Sequence, residues 1–409
     1  MESVLERFLR YVKYDTRSLE YQNQIPSTTG QLVLAKLLVD ELKSLGVENA
    51  TIDTLGFVIG TYPSNCHVPV PSVAFFSHLD TSPEFNGTNV SPQLVKSYDG
   101  GDIILNEGWD ITLSPKMFPE LLDYIGQDIV TTDGTSLLGA DAKAGIAEIM
   151  TLIAILRKSP EIKHGDIHIV FTPDEELAIS GIYHFSNSDF STDFAYIIDG
   201  NGIGELSFEN FNASVAKVSF TGKSIHPGQA NKKMINAIHV MNDFINLLPS
   251  HERPEHTHDY EGFYFLESVK ADVEEAVLSL DIRDFRQDGL EDKKKYLYGI
   301  AGLLNKKYQF NVVEVQVQDS YKNIGESIGI QHESVQLAMK AMKNIGLKPK
   351  VVPHRGGHDG TALYEKGIIA PNLFVGVHNE HGKYEFIPVQ SMEKSVSTLL
   401  EITSLLAKK

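Results

Sequence analysis

Cysteine is almost missing from this chain of 409 residues, where Cys66 stands alone. One thiol excludes internal disulfides and any metal site built on several thiolates, and it suits a reducing compartment. Basic residues are also short, with 36 Lys and Arg against 54 Asp and Glu and a net charge of −18. A nucleic-acid partner calls for a basic stripe, and an anionic membrane surface attracts one, so neither partner is expected. No apolar run is long enough to span a bilayer. The opening Met1-Glu2-Ser3-Val4-Leu5-Glu6-Arg7 reads as the start of an amphipathic helix, not a signal peptide. What remains is the expectation of a soluble, cytoplasmic protein, with 42 % hydrophobic residues to build a core.

From Met1 to about Asn210 helix and strand patterns alternate. Val4, Leu5, Phe8, Leu9 and Val12 mark one apolar helix face, and Leu34, Leu37, Leu38, Leu42 and Leu45 another, ended by Gly46. Residues 144–156 are apolar nearly all round, which predicts a buried helix packed on a sheet. Such alternation implies an α/β fold with a mainly parallel sheet covered on both faces. Near Phe211 the pattern changes to strand, helix, strand, strand, helix, strand, the split-βαβ order of a complete small α+β domain. After Asp319 the α/β pattern resumes. The predicted division is residues 1–210 and 323–409 as one discontinuous catalytic domain, with residues 211–322 inserted into it.

Five acidic and imidazole residues occupy five separate places: His78, Asp141, Glu176, Asp199 and His381. The first four follow apolar runs that read as buried strands, at residues 72–76, 136–138, 167–171 and 194–198. Side chains at the C-terminal ends of parallel strands converge on one crevice. Two His and three carboxylates exceed a single four-coordinate site and suit two metals sharing a bridging carboxylate. Asp141 is expected near the N-terminal cap of the buried helix, rigidly supported on both sides. Asp80 lies two residues beyond His78, on the same side of an extended chain, and is expected to take the second imidazole nitrogen and orient the ring. The run Thr172-Pro173-Asp174-Glu175-Glu176 sets three acids after a buried strand, which is costly without cations. If Glu176 is a ligand, Glu175 is placed to move the proton of an attacking water. His378 and His381 are both candidates to close the metal set. His226, in Ser224-Ile225-His226-Pro227-Gly228, and Arg355, in a glycine-rich turn, are candidate substrate groups, since Arg can clamp a carboxylate with two parallel hydrogen bonds.

Taken together these motifs resemble the M20 metallopeptidase family over essentially the whole chain. The matching text is residues 77–83 (Ser-His-Leu-Asp-Thr-Ser-Pro), 138–141, 143–148, 171–176, 204–206, 208–213, 226–228, 260–264, 282–285, 355–357, 381–383 and Glu385-Phe386. The Phe-Glu-Asn-Phe-Asn-Ala stretch at 208–213 and the closing His381-Gly382-Lys383 are similar to the tripeptide aminopeptidases of that family. The resemblance implies two Zn2+ per subunit, with Co2+ or Mn2+ as alternatives by availability. His78 and Asp199 would hold one metal, Glu176 and His381 the other, and Asp141 would bridge them. Glu175 would be the general base and acid, with Asp80 orienting His78. His226, Arg283 and Arg355 would bind the substrate, and the inserted domain would act as a lid and mediate a homodimer. The reaction implied is release of the N-terminal residue from tripeptides.

The chain departs from the family text in three places. Ala142 replaces the usual acid after the bridging Asp, His358 stands in the Gly-Gly-Thr-Asp-Gly position, and Leu177 to Gly181 lacks an early glycine. Two other readings therefore stay open: a sibling activity, dipeptidase or N-acyl-amino-acid hydrolase, and a peptide-binding protein without turnover.

Overall fold

Apolar runs become strands where both faces are covered. In the computed structural model, which describes residues 2–177, 180–186 and 191–409, Val73–His78 and Ile167–Thr172 are buried along their entire length. Within the segment Leu177 to Gly181, Ala178 and Ile179 lie outside the described residues. The chain divides into two units. One comprises Met1–Phe208, Ile328–Val352 and His358–Lys409, the other Glu209–Ser327 and Pro353–Gly357.

The first unit is built on an eight-stranded mixed sheet. Its order is Thr51–Ile52, Val58–Tyr62, Ile167–Thr172, Val73–His78, Phe194–Gly200, Asn372–Phe374, Glu205–Ser207 and Lys350–Val351. The central strands Ile167–Thr172, Val73–His78, Phe194–Gly200 and Asn372–Phe374 run parallel, which brings the C-terminal ends of the first three to one rim. The helix Ala140–Lys158 lies against them, buried almost all round as its composition requires. Its close approach depends on Gly145, where a Cβ would stand 2.0 Å from the Ile198 carbonyl oxygen and 2.7 Å from Ser77 Oγ. Helix Val389–Leu406 packs on that helix in turn.

Residues 136–138, expected as a strand, are not one. The amide of Leu138 donates to the buried carboxylate of Glu385, and the Leu137 amide to the Asn86 carbonyl oxygen, so this segment pairs with no neighbouring strand. An apolar run of three residues carries no period that separates a buried loop from a strand.

The second unit holds a four-stranded antiparallel sheet in the order Phe263–Ala271, Glu275–Asp284, Asn212–Thr221, Val313–Tyr321. Helices Ala237–Leu247 and Gln287–Tyr308 cover one face. Ala216, Val218 and Phe220 alternate with exposed or half-buried neighbours and meet Leu278, Leu280, Phe244 and Leu297 in its core. This is the split-βαβ order expected from the sequence. Among the described residues no helix is long and apolar enough to cross a membrane.

Candidate metal centre

The parallel strands and the segments that follow them bring three of the candidate ligands toward one rim, and the start of the helix Ala140–Lys158 adds Asp141. His78 ends the strand Val73–His78, Asp199 lies one residue from the end of Phe194–Gly200, and Glu176 follows Ile167–Thr172 by four residues. Asp141 sits in the first turn of Ala140–Lys158 with φ −80° and ψ 107°, so regular helix begins only after Ala142. The Asp141–Ala142 peptide is cis.

His78 Nε2 lies 2.8 Å from Asp141 Oδ1 and 3.4 Å from Asp199 Oδ1. His381, in a loop with φ 66°, puts its Nε2 3.3 Å from Asp141 Oδ2 and 3.1 Å from Glu176 Oε2. Two three-residue groups result, His78 with Asp141 and Asp199, and Asp141 with Glu176 and His381. Within each, donor atoms lie within 4.8 Å of one another, and Asp141 is common to both. Of the two imidazoles in the 378–381 loop, His381 faces the carboxylates. His378 instead takes a 2.7 Å hydrogen bond with the Tyr124 hydroxyl and stacks on Phe386.

The electrostatics of these groups fit cations. His78 Nδ1 faces the main-chain carbonyl of Asp80 at 2.9 Å, so it must carry the proton there, and Nε2 is left to face two carboxylates. A lone pair against two acceptors is repulsive unless a proton or a cation lies between them. Glu176 Oε1 is buried with no hydrogen-bond partner, a further acceptor awaiting a positive group. Burial alone would lower His78, yet Asp199, Asp141 and Asp80 outweigh it and hold the imidazole well above its ordinary range. Burial likewise opposes His381, but Asp141 and Glu176 push it up to about 12. Burial raises Asp199 to about 8, against His78 and helped by Asp141. Burial and the Asp141 charge raise Glu176 to about 7. Burial would raise Asp141 too, but the two imidazoles pull it far below the carboxylate range. All donors are nitrogen or carboxylate oxygen, the set that zinc and its neighbours in the first transition row accept.

The supporting contacts differ from expectation in one respect. Asp80 Oδ1 lies 3.5 Å from His78 Nδ1, farther than the Asp80 carbonyl oxygen. The Asp80 carboxylate accepts instead from the amides of Glu175, at 3.0 Å, and Glu176, at 3.1 Å. Preceding them, Asp174 has φ 52° and is fully buried. Its carboxylate accepts from Ser27 N, Ser27 Oγ and Gln31 Nε2 at 2.7, 2.6 and 2.7 Å. Two carboxylates thus hold the turn that presents Glu175 and Glu176. Glu175 is raised well above its ordinary value, chiefly by burial and by Asp359, Asp199 and Glu176, with His78 opposing.

Sequence reasoning missed several residues around this centre. Asp359 accepts from Thr172 Oγ1 at 2.6 Å and is pushed up to about 6 by burial. Lys143 is buried, donates to the Tyr14 carbonyl at 2.8 Å and faces the charges of Asp15, Glu385 and Asp80. Glu385, raised to about 7 by burial and the Asp141 charge against its amide donors, accepts from four main-chain amides. The available signal was motif membership: Lys143 and Glu385 stand in the family-like text at 143–148 and 385–386, and Asp359 in the glycine-rich turn at 356–360, but no local pattern marks the partners of any of the three.

The remaining candidates belong to the second unit. His226 caps the short turn Pro227–Gln229, with Nδ1 accepting from Gly228 N at 3.2 Å, and its ring is exposed. Arg283 pairs with Asp281 at 2.7 Å and donates to the Arg355 carbonyl at 3.1 Å. Arg355 donates to the carbonyls of Asp259 and Glu261 and to Thr257 Oγ1, at 2.7, 2.9 and 2.8 Å. Its guanidinium lies over the rings of Phe211 and Phe263. Arg355 therefore braces the loop at residues 257–261.

The family model described as Peptidase family M20/M25/M40 matches residues 137–404. Peptidase T of Clostridium acetobutylicum is 50 % identical over 409 residues, covering 100 % of both chains. The solved structure of aminopeptidase PepT from Bacillus cereus has a TM-score of 0.77 at 22 % identity, covering 100 % of this chain and 99 % of that one. The YXEP protein of Bacillus subtilis, a dinuclear metal-binding peptidase from the M20 family, has a TM-score of 0.64 at 12 % identity over 99 % of both chains. The two structural likenesses bear on the fold, a mixed, mostly parallel sheet with helices and an inserted α+β unit. With its family model covering well over half the length and a relative identical at half its positions, the chain belongs to the M20/M25/M40 peptidase family.

Proposed function

We propose that this protein is a two-metal aminopeptidase that releases the N-terminal residue from tripeptides in the cytoplasm. The observation that carries the reading is the pair of nitrogen–carboxylate donor groups sharing Asp141, with Glu175 next to Glu176 in the chain and within reach of the charges of His78 and Asp199. The tripeptide preference draws on the name of the 50 % identical relative. His78 and Asp199 would hold one divalent cation, Glu176 and His381 the other, and Asp141 would serve both. Bound there, two cations supply Lewis-acid polarisation of the scissile carbonyl and a lowered pKa for water.

The chain's own residues do the rest. The Glu175 carboxylate takes a proton from the attacking water and returns it to the leaving amine. Like charges and burial hold that carboxyl up without cations. Positive charge in the neighbouring donor groups offsets the repulsion and restores a base near neutral pH. Asp80, through the amides of Glu175 and Glu176, keeps base and ligand in fixed relation. His226, Arg283 and Arg355 would bind the peptide, with Arg recognising its terminal carboxylate. Residues 211–322 would form the lid and the homodimer contact. The edge strand Phe263–Ala271, with Phe265 and Val269 exposed, supports the latter, because an open edge is a template for pairing.

Product analysis with a free tripeptide tests the reading. One amino acid plus a dipeptide is expected, lost on chelation and restored by Zn2+. Cleavage of the N-acetylated tripeptide would instead favour an N-acyl hydrolase. Absence of product with metal bound would favour a binding protein.

A further inference from the structure

Glu385 lies four residues beyond His381 and is 1 % exposed. Its carboxylate meets four successive main-chain amides. Oε2 accepts from Leu138 N at 2.7 Å and Gly139 N at 2.8 Å; Oε1 accepts from Ala140 N at 2.7 Å and Asp141 N at 3.2 Å. These amides lie just ahead of the regular helix, which begins only after Ala142, in a segment that pairs with no strand, so a side chain has to satisfy them. Gly139, at φ 79° and ψ 28°, takes the left-handed conformation that lets consecutive amides converge on one anion. A carboxylate held through both oxygens has no freedom to swing, and the backbone bonded to it has little.

The geometry assigns Glu385 as the positioning residue for Asp141. It fixes the main chain from which that carboxylate projects, and it ties this chain to the segment carrying His381, 240 positions away in sequence. The assignment rests on reading Asp141 as the ligand common to two cations. A bridging carboxylate has to present both oxygens at a set separation, so a small rotation of its backbone disturbs both sites together. Residues that hold metal ligands typically change affinity by about 10- to 100-fold when altered. In Glu385→Gln one acceptor oxygen is exchanged for an amide NH2, which turns a donor toward two of the four N–H groups.

Two measurements on the full chain decide the matter. In the metal-free wild type, the amides of residues 138–141 should exchange hydrogen as slowly as those of the buried strand Val73–His78. Exchange as fast as in an exposed loop would overturn the assignment, whether or not any variant folds. In the second measurement, wild type, Glu385→Gln and Glu385→Asp are titrated with Zn2+ against a competing chelator, well below the unfolding temperature of each. Glu385→Gln should bind both equivalents about 10- to 100-fold more weakly and show a changed visible spectrum when loaded with Co2+. Glu385→Asp, which keeps the anion, should recover part of the affinity. A Glu385→Gln protein that melts lower yet binds two metals with wild-type affinity and an unchanged Co2+ spectrum would reduce Glu385 to a structural residue and refute the proposal. If the wild type itself takes up no metal, the two-metal reading fails, and the exchange data still judge whether Glu385 holds the loop.

Discussion

Replacing Asp80 by Asn changes one oxygen of a carboxylate that accepts the amides of Glu175 and Glu176 at 3.0 and 3.1 Å. The amide side chain keeps one acceptor and turns an NH2 group toward the other N–H. One charge-assisted bond is lost outright and the remaining one is weakened. A hydrogen bond to a charged group is worth about 1.5–3 kcal/mol. If that loss falls on the placement of Glu175 in the transition state, kcat drops by roughly 10- to 150-fold, at about 1.4 kcal/mol per tenfold. The His78 ring loses little orientation, because its Nδ1 proton is held mainly by the Asp80 carbonyl oxygen at 2.9 Å, which the substitution leaves in place. The assay is steady-state hydrolysis of a free tripeptide at saturating Zn2+, with metal content measured on the same samples. The expected result is a lowered kcat with two metals retained. A kcat within twofold of wild type, or a defect confined to KM, would show that the turn carrying Glu175 does not depend on Asp80.

Three further outcomes are expected. Glu175→Ala should lower kcat by at least about 100-fold, the usual contribution of a general base, while both metals stay bound; normal turnover would reassign the base. Glu148 is buried in the helix Ala140–Lys158, with one oxygen bonded to Ser395 Oγ and the other without a partner, and burial holds its carboxyl well above the ordinary 4.5. A raised folded-state pKa contributes stability that is complete below about 4.5 and is lost as pH rises toward the folded value, at up to about 1.4 kcal/mol per pH unit. Urea unfolding of metal-free Glu148→Gln should therefore show a gain over wild type that grows from pH 5 to pH 8, and a difference independent of pH would contradict the burial argument. Gly145→Ala places a Cβ 2.0 Å from the Ile198 oxygen, one residue before Asp199, and should cost about 1–3 kcal/mol in thermal unfolding by overpacking; an unchanged melting temperature would mean that helix and sheet separate freely there.

Much of the architecture was legible before any coordinates. The strands Val73–His78, Ile167–Thr172 and Phe194–Gly200 are covered on both faces by the sheet's layers, so they read as unbroken apolar runs. Each acid or imidazole after such a run has a bland strand-end or loop explanation when read alone; it is their recurrence at five places that singles out His78, Glu176 and Asp199. Residues 136–138 show where that logic ends. Their side chains are as apolar as a strand's, but their amide environment is set by Glu385, distant in sequence, and burial alone does not distinguish the two. Asp80 was recognised by its spacing from His78, yet spacing reports which side a residue faces and not which donor on that side binds it.

The sequence alone determined what is local or periodic: the alternation that makes a mainly parallel sheet, the split-βαβ order of the second unit, the supply of imidazoles and carboxylates, and the lack of thiols. These follow from side-chain polarity and spacing, which act over a few residues. The tertiary structure decided what depends on closure of the chain over long separations. It chose His381 over His378, made Asp141 common to two donor groups, and gave the Asp80 carboxylate to the amides of Glu175 and Glu176. It also set Glu385 against the amides of residues 138–141. The physical reason is that hydrogen bonds and ion pairs act over about 3 Å, and only the packed fold brings residues hundreds of positions apart to that distance.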